Sequence, residues 1–141
     1  MRFWDTSALV PLCVLEPSSR EMRRLATADP SLVVWWGTRV ECLSAFTRAR
    51  RDGKLAAAVE HRARRVLGSL AAEWSEVLPT QAVRDRAERL LGVHPLRAAD
   101  AFQLAAALVW SRGETRRHTI VSFDERLRVA ARGEGFEILP G

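Results

Sequence analysis

The chain has 141 residues, 48% hydrophobic and 28% charged, with a formal net charge of +5. That is an ordinary globular balance in a length that suits one domain with one sizeable core. Two cysteines, Cys13 and Cys42, make neither a disulfide framework nor a metal-ligand spacing, and read as buried thiols in a reducing compartment. The early apolar run Ala8 to Leu15 is short, holds Pro11 and ends at Glu16-Pro17. No membrane span is expected from it, and because Asp5 precedes it and no small-residue cleavage site follows, no signal peptide is expected either. The expectation is a mature N-terminus and a cytoplasmic protein. Lys54 is the only lysine and every other strong base is arginine. Such a surface suits a polyanionic partner, although an Ala- and Arg-rich composition alone accounts for it equally well.

In chain order, Met1 to Trp4 predicts a first strand, and Asp5-Thr6-Ser7 opens a helix. Ser18-x-x-Glu21 matches a capping box for a second helix, which reaches about Thr27 and is stopped by Asp29-Pro30. Leu32 to Trp36 is β-branched and aromatic, a clean strand. A helix from Thr38 to about Arg51 follows, closed by Gly53, with Thr38-x-x-Glu41 as a second capping-box match. Lys54 to about Ala72 carries Val59, Ala63, Val66, Leu67 and Leu70 at helical spacing. Trp74 to Leu78 reads as a short strand or an extended connection. Pro79-Thr80 begins a helix striped by Val83, Ala87, Leu90 and Leu91 and ending at Gly92. The helix from Ala98 to Trp110 is apolar on nearly every side and therefore buried. A polar, basic turn, Gly113 to His118, leads to a strand from Thr119 to Phe123. Asp124 opens a short helix to Arg132, and Phe136 to Leu139 closes the chain as a last strand. Strands alternating with helices, without a hairpin signal, predict an α/β fold: a three-layer α/β/α domain over residues 1–141 around a mainly parallel sheet.

Asp5, Glu41 and Asp124 each follow a predicted strand, and Asp100 lies in the first turns of the buried helix. In a parallel sheet the strand C-termini and helix N-termini share one edge, where ligands bind. Three of these acids have a capping alternative, whereas Asp100 has none, and a lone acid in a buried helix needs a partner. Four converging carboxylates repel one another unless neutralised, and hard oxygen donors suit Mg²⁺ or Mn²⁺ rather than zinc. Such a metal activates water and stabilises charge on a phosphodiester. Arginines around an acidic hole suit the substrate's phosphates, and Arg48 lies two turns beyond Glu41 on nearly the same face. The residues point to a metal-dependent nuclease.

These residues also carry a resemblance. Asp5-Thr6-Ser7-Ala8-Leu9, Glu41 with Ser44, Ala45 and Arg48, Arg97-Ala98-Ala99-Asp100-Ala101 with Gln103-Leu104-Ala105-Ala106-Ala107, and Ser122-Phe123-Asp124-Glu125-Arg126-Leu127 running on to Gly135-Phe136 occur in family order along the chain. Together they resemble the PIN-domain ribonucleases, and within them the toxin component of VapBC-type toxin–antitoxin pairs. The resemblance implies a Mg²⁺-dependent endoribonuclease toxin of a type II system. In it Asp5 and Asp100 are direct metal ligands, and Glu41 and Asp124 ligate through water or position the nucleophile. Thr6 and Ser122 support the site. It also implies a homodimer and a small antitoxin whose tail covers the active site. Pro11-Leu12-Cys13 departs from the pattern, since many relatives carry a lysine and an aromatic there.

Rival readings are distinguishable. A phosphoaspartate receiver needs a lysine near the site, and Lys54 is poorly placed; an aspartyl phosphatase needs a second Asp where Ser7 stands. A non-catalytic RNA- or partner-binding module would bind without metal and survive Asp100→Asn. His61, His94 and His118 show no ligand or triad spacing. Trp35 and Trp36 are either core or dimer packing or a platform for bases. The basic clusters Arg48-Arg50-Arg51 and Arg116-Arg117-His118 are either solvated faces or phosphate contacts.

Overall fold

Five short strands make one sheet in a computed structural model that describes residues 1–141. They are β1 (Arg2–Trp4), β2 (Leu32–Trp35), β3 (Ser75–Val77), β4 (Thr119–Val121) and β5 (Glu137–Leu139). Their order is β3-β2-β1-β4-β5, and every neighbouring pair is parallel. The helices are α1 (Thr6–Cys13), α2 (Ser19–Ala28), α3 (Thr38–Arg51), α4 (Ala57–Glu73), α5 (Gln81–Val93), α6 (Ala98–Trp110) and α7 (Glu125–Gly133).

The period-2 alternation of the strands splits the core in two. Phe3, Val33, Trp35, Ile120 and Ile138 face one layer, where they pack with α5, α6 and α7. Trp4, Leu32, Val34 and Val121 face the other, against α1, α2, α3 and α4. The three-layer α/β/α arrangement with a parallel sheet is thus the fold the alternating pattern predicts. Helix α6 is sunk in the first core: Ala101 and Leu104 through Leu108 are all buried. Trp35 stacks on its Phe102, with ring centroids 5.5 Å apart and planes 2° from parallel.

From β1 the chain moves outward through β2 to β3; it then crosses the sheet and continues from β4 to β5. The connections leave β1 and β4 in opposite directions, which makes the gap beyond their C-terminal ends a topological switch point, the usual ligand crevice of open α/β sheets.

Two capping expectations are corrected. Ser18 holds the cap position of α2, as its pattern predicts, but its side chain makes no cap bond. The hydroxyl of Ser19 instead accepts from Glu16 N–H at 2.8 Å and donates to the Val14 carbonyl at 3.1 Å, which fastens the preceding turn. At α3 the cap position is Gly37, and Thr38 is already helical. A Cβ on Gly37 would lie 2.6 Å from the Trp35 indole nitrogen, so the backbone passes there only without a side chain. The polar turn before β4 holds one 3₁₀ turn, Thr115–Arg117, which periodicity does not detect. No helix is long and apolar enough to cross a membrane.

Candidate active site

Asp5 sits at the switch point because β1 ends there. Its backbone N–H donates to the Val121 carbonyl of β4 at 3.0 Å, and its carboxylate caps α1. One carboxylate oxygen, Oδ2, accepts from the Ser7 hydroxyl at 2.5 Å, the Ser122 hydroxyl at 3.0 Å and Ser7 N–H at 3.3 Å. Burial nevertheless dominates: it pushes the Asp5 carboxyl up to about 6, against the lowering effect of these hydrogen bonds and with a further push from Glu41.

Glu41 projects from the first turn of α3. Its Oε2 accepts from the Thr6 hydroxyl at 2.5 Å and from the Gln103 amide at 2.7 Å. The capping-box alternative for Glu41 therefore fails: α3 has no side-chain cap bond, and the Thr38 hydroxyl accepts from Gln103 at 3.0 Å. Asp100 is half-buried in the first turn of α6. Burial raises its carboxyl first, the charge of Asp124 second and that of Glu41 more weakly; a backbone hydrogen bond and the charge of Arg97 oppose them. Asp124 does cap α7, with Oδ1 accepting from Leu127 N–H at 2.9 Å, and its own N–H donates to the Ser122 hydroxyl at 3.1 Å. Capping occupies one oxygen and leaves the other available.

These four acids line one open cleft of about 930 Å³. Thr6, Ser7 and Arg48 line it too, and Ser122 lies beneath, fully buried against Asp5. Six carboxylates face the cleft, Glu16 and Glu125 being the other two, against three guanidinia, Arg48, Arg97 and Arg126. In a chain of net charge +5 this is a local reversal of sign. None of Asp5, Glu41, Asp100 and Asp124 takes part in an ion pair, and the three arginines are equally unpaired.

The donor set consists of carboxylate and hydroxyl oxygens, with no histidine or cysteine in the lining. That chemistry fits a hard divalent cation. No three of the chain's His, Cys, Asp and Glu groups are already gathered as a cage. The fit is thus to Mg²⁺-type binding, in which one or two carboxylates and several waters share the ion with substrate phosphate.

Two residues that touch the acids have no signal in the sequence periodicity. Ser7 bonds Asp5, and its hydroxyl also accepts from Phe123 N–H at 2.9 Å, tying α1 to the loop after β4. Gln103 is buried in an otherwise apolar helix, and its amide reaches Glu41. A lone glutamine in such a run was the available clue. The histidines lie elsewhere: His94 pairs with Glu134 at 3.1 Å and His118 packs edge-on against Trp110. Trp36 is exposed while Trp35 is core. The two thiols are free, Cys42 buried and Cys13 half-buried, and burial pushes the Cys13 thiol up to about 12.

No family model matches the chain. Among curated proteins it is 34% identical over 141 residues to "Ribonuclease VapC47" of Mycobacterium tuberculosis (strain CDC 1551 / Oshkosh), spanning 96% of this chain and 93% of that one. Three solved structures share the fold. PAE2754 from Pyrobaculum aerophilum superposes with a TM-score of 0.69 at 18% identity, over 98% of this chain and 83% of that one. FitAcB from Neisseria gonorrhoeae gives 0.64 at 15% identity, over 98% and 96%. A toxin–antitoxin complex from Klebsiella pneumoniae gives 0.59 at 20% identity, over 86% and 85%.

Proposed function

The chain belongs to the VapC-type PIN-domain ribonucleases, and from that membership we propose that it is a Mg²⁺- or Mn²⁺-dependent endoribonuclease, the toxin of a type II toxin–antitoxin pair. One observation carries the chemistry: four carboxylates from separate parts of the chain line one cleft at the sheet's switch point, and none of them is in an ion pair. A bound divalent ion would polarise a water and a phosphate oxygen.

Asp5 and Asp100, which both line the cleft, are assigned to direct ligation by the family resemblance. Ser7 and Ser122 hold one oxygen of Asp5 and leave the other for the ion. Glu41, fixed through Oε2, has Oε1 to orient water, and Asp124 offers the oxygen its cap does not use. Thr6 supports Glu41 directly. Arg48, Arg97 and Arg126 are exposed on the rim and free to take substrate phosphates. The reaction is hydrolysis: water adds to phosphorus, the bridging oxygen leaves, and a carboxylate accepts the water's proton.

The proposal extends to a single PIN-like domain over residues 1–141, a homodimer, an antitoxin that covers the cleft, and a cytoplasmic location. The test is cleavage of a small-RNA pool by purified protein with Mg²⁺ or Mn²⁺, with chelator, and with Asp100→Asn. Discrete cuts lost in both controls support a metal-dependent ribonuclease. RNA binding without cutting, unchanged by chelator and by Asp100→Asn, supports a non-catalytic RNA- or partner-binding module instead.

A further inference from the structure

We infer that Gln103 is a positioning residue that fixes the rotamer of Glu41 and decides which of its oxygens faces the cleft; this rests on the reading of Glu41 as part of the catalytic site. Gln103 lies one turn beyond Asp100 on the same face of α6, so a single helix presents an acid at the cleft and an amide beneath it. The amide nitrogen has three oxygens in reach: Glu41 Oε2 at 2.7 Å, Thr38 Oγ1 at 3.0 Å and Thr6 Oγ1 at 3.1 Å. The chemistry fixes the amide's orientation, because a carboxylate only accepts and must meet the NH₂ side. Thr6 spends its own proton on Glu41, so its oxygen is free to accept from Gln103. The starts of α1 and α3 are thereby joined to α6 through one side chain, and both donors to Glu41 converge on Oε2. No protein donor reaches Oε1.

The arrangement is unfavourable for the amide itself. Gln103 is 1% exposed and its Oε1 has no hydrogen-bond partner. A buried carbonyl left unpaired is destabilising, and what the amide offers against it is its donor side, turned to Glu41, Thr38 and Thr6. A residue present only for packing would not show this pattern. The same amide is well suited to positioning: it is a neutral donor and orients a carboxylate without cancelling its charge, as lysine or arginine would. Residues that orient ligating or water-bearing groups in this way typically change metal affinity or activity about 10- to 100-fold when removed.

The variants are Gln103→Met, which keeps length and volume, Glu41→Gln, and the two combined. The expected result is a roughly 10- to 100-fold loss of kcat for Gln103→Met with little change in KM, and weaker Mn²⁺ binding by calorimetry. Its melting temperature is expected to fall modestly, because Thr38 and Glu41 lose a donor while the unpaired Oε1 is removed, so kcat is compared per folded molecule. In the Glu41→Gln background the second substitution should cause no further loss, because both act through one group. A readout independent of catalysis is NMR of the Gln103 side-chain amide, whose protons should exchange slowly with solvent and shift in Glu41→Gln.

Effects that multiply in the double variant, full kcat in Gln103→Met, or a fast-exchanging amide would each overturn the inference. The underlying reading fails separately. If Glu41→Gln leaves cleavage and Mn²⁺ binding intact, Glu41 has no role and Gln103 has nothing to position. If Glu41→Gln disables the enzyme and Gln103→Met does not, only the positioning role is lost.

Discussion

Replacing Asp5 with asparagine is expected to disable the enzyme and stabilise the protein. In the metal-free fold the Asp5 carboxyl is pushed from 3.8 to about 6, chiefly by burial. The folded chain therefore binds this proton more tightly than the unfolded chain does. Between pH of about 4 and 6 the native state carries more protons, so stability falls as pH rises, and above that window the whole penalty is present. At about 1.4 kcal/mol per pKa unit the shift corresponds to a ceiling of about 3 kcal/mol near neutral pH. Asparagine removes the charge and keeps an oxygen for Ser7 and Ser122, but it sets an NH₂ group where the second carboxylate oxygen stood. A net gain of about 1–2 kcal/mol is expected after that loss, or roughly 5 °C in melting temperature for a chain of this size. The assay is denaturant unfolding in chelator, near pH 4 and near neutrality, for both proteins. Asp5→Asn should be the more stable near neutrality, and its stability should decline less steeply from pH 4 to 6, the remainder coming from Asp100, whose carboxyl burial also raises. Saturating Mg²⁺ should stabilise the unmodified chain and not the variant. Equal or lower stability of Asp5→Asn at neutral pH, with an unchanged pH slope, would refute the reasoning.

Gly135 has φ +97°, and a Cβ there would lie 2.6 Å from Thr115 Oγ1; Gly135→Ala should destabilise by about 1–3 kcal/mol in chemical unfolding. Leu104 is fully buried in α6, so Leu104→Ala should lose about 2–5 kcal/mol, while cleavage per folded molecule stays unchanged. Arg97→Ala removes an unpaired guanidinium from the cleft rim; RNA binding should weaken across sequences, and the slope of log affinity against log salt should fall by about one. A slope that does not move would place the phosphates elsewhere.

The strands and the buried α6 were legible because their signals are local: β-branched runs, and a helix apolar all round. Asp5, Glu41 and Asp124 were legible by position after strands, and Asp100 by being the lone acid in an apolar helix. The failures are also local. Ser18 and Thr38 satisfy a short capping pattern, yet Ser18 holds the cap position of α2 without a side-chain cap bond, and α3 begins one residue earlier than the pattern places it. The reasons lie outside the window: the Ser19 hydroxyl fastens the turn at Glu16, and Gly37 passes close to the Trp35 indole. Ser7 and Gln103 were not legible as site residues. Ser7 bonds Asp5 two residues away, but its ties to Ser122 and Phe123, like those of Gln103 to Thr6, Thr38 and Glu41, span tens of residues. Only the folded sheet edge brings them together, and no spacing rule along the chain encodes that.

The central claim is that the four acids form a divalent-metal site, and a crystal soaked in Mn²⁺ tests it most directly. The account predicts an anomalous scattering peak in the cleft, bonded to Asp5 and Asp100 and absent from a crystal of the Asp5→Asn, Asp100→Asn double variant. A well-ordered cleft with no peak at saturating Mn²⁺, or a peak that persists in the double variant, would contradict it.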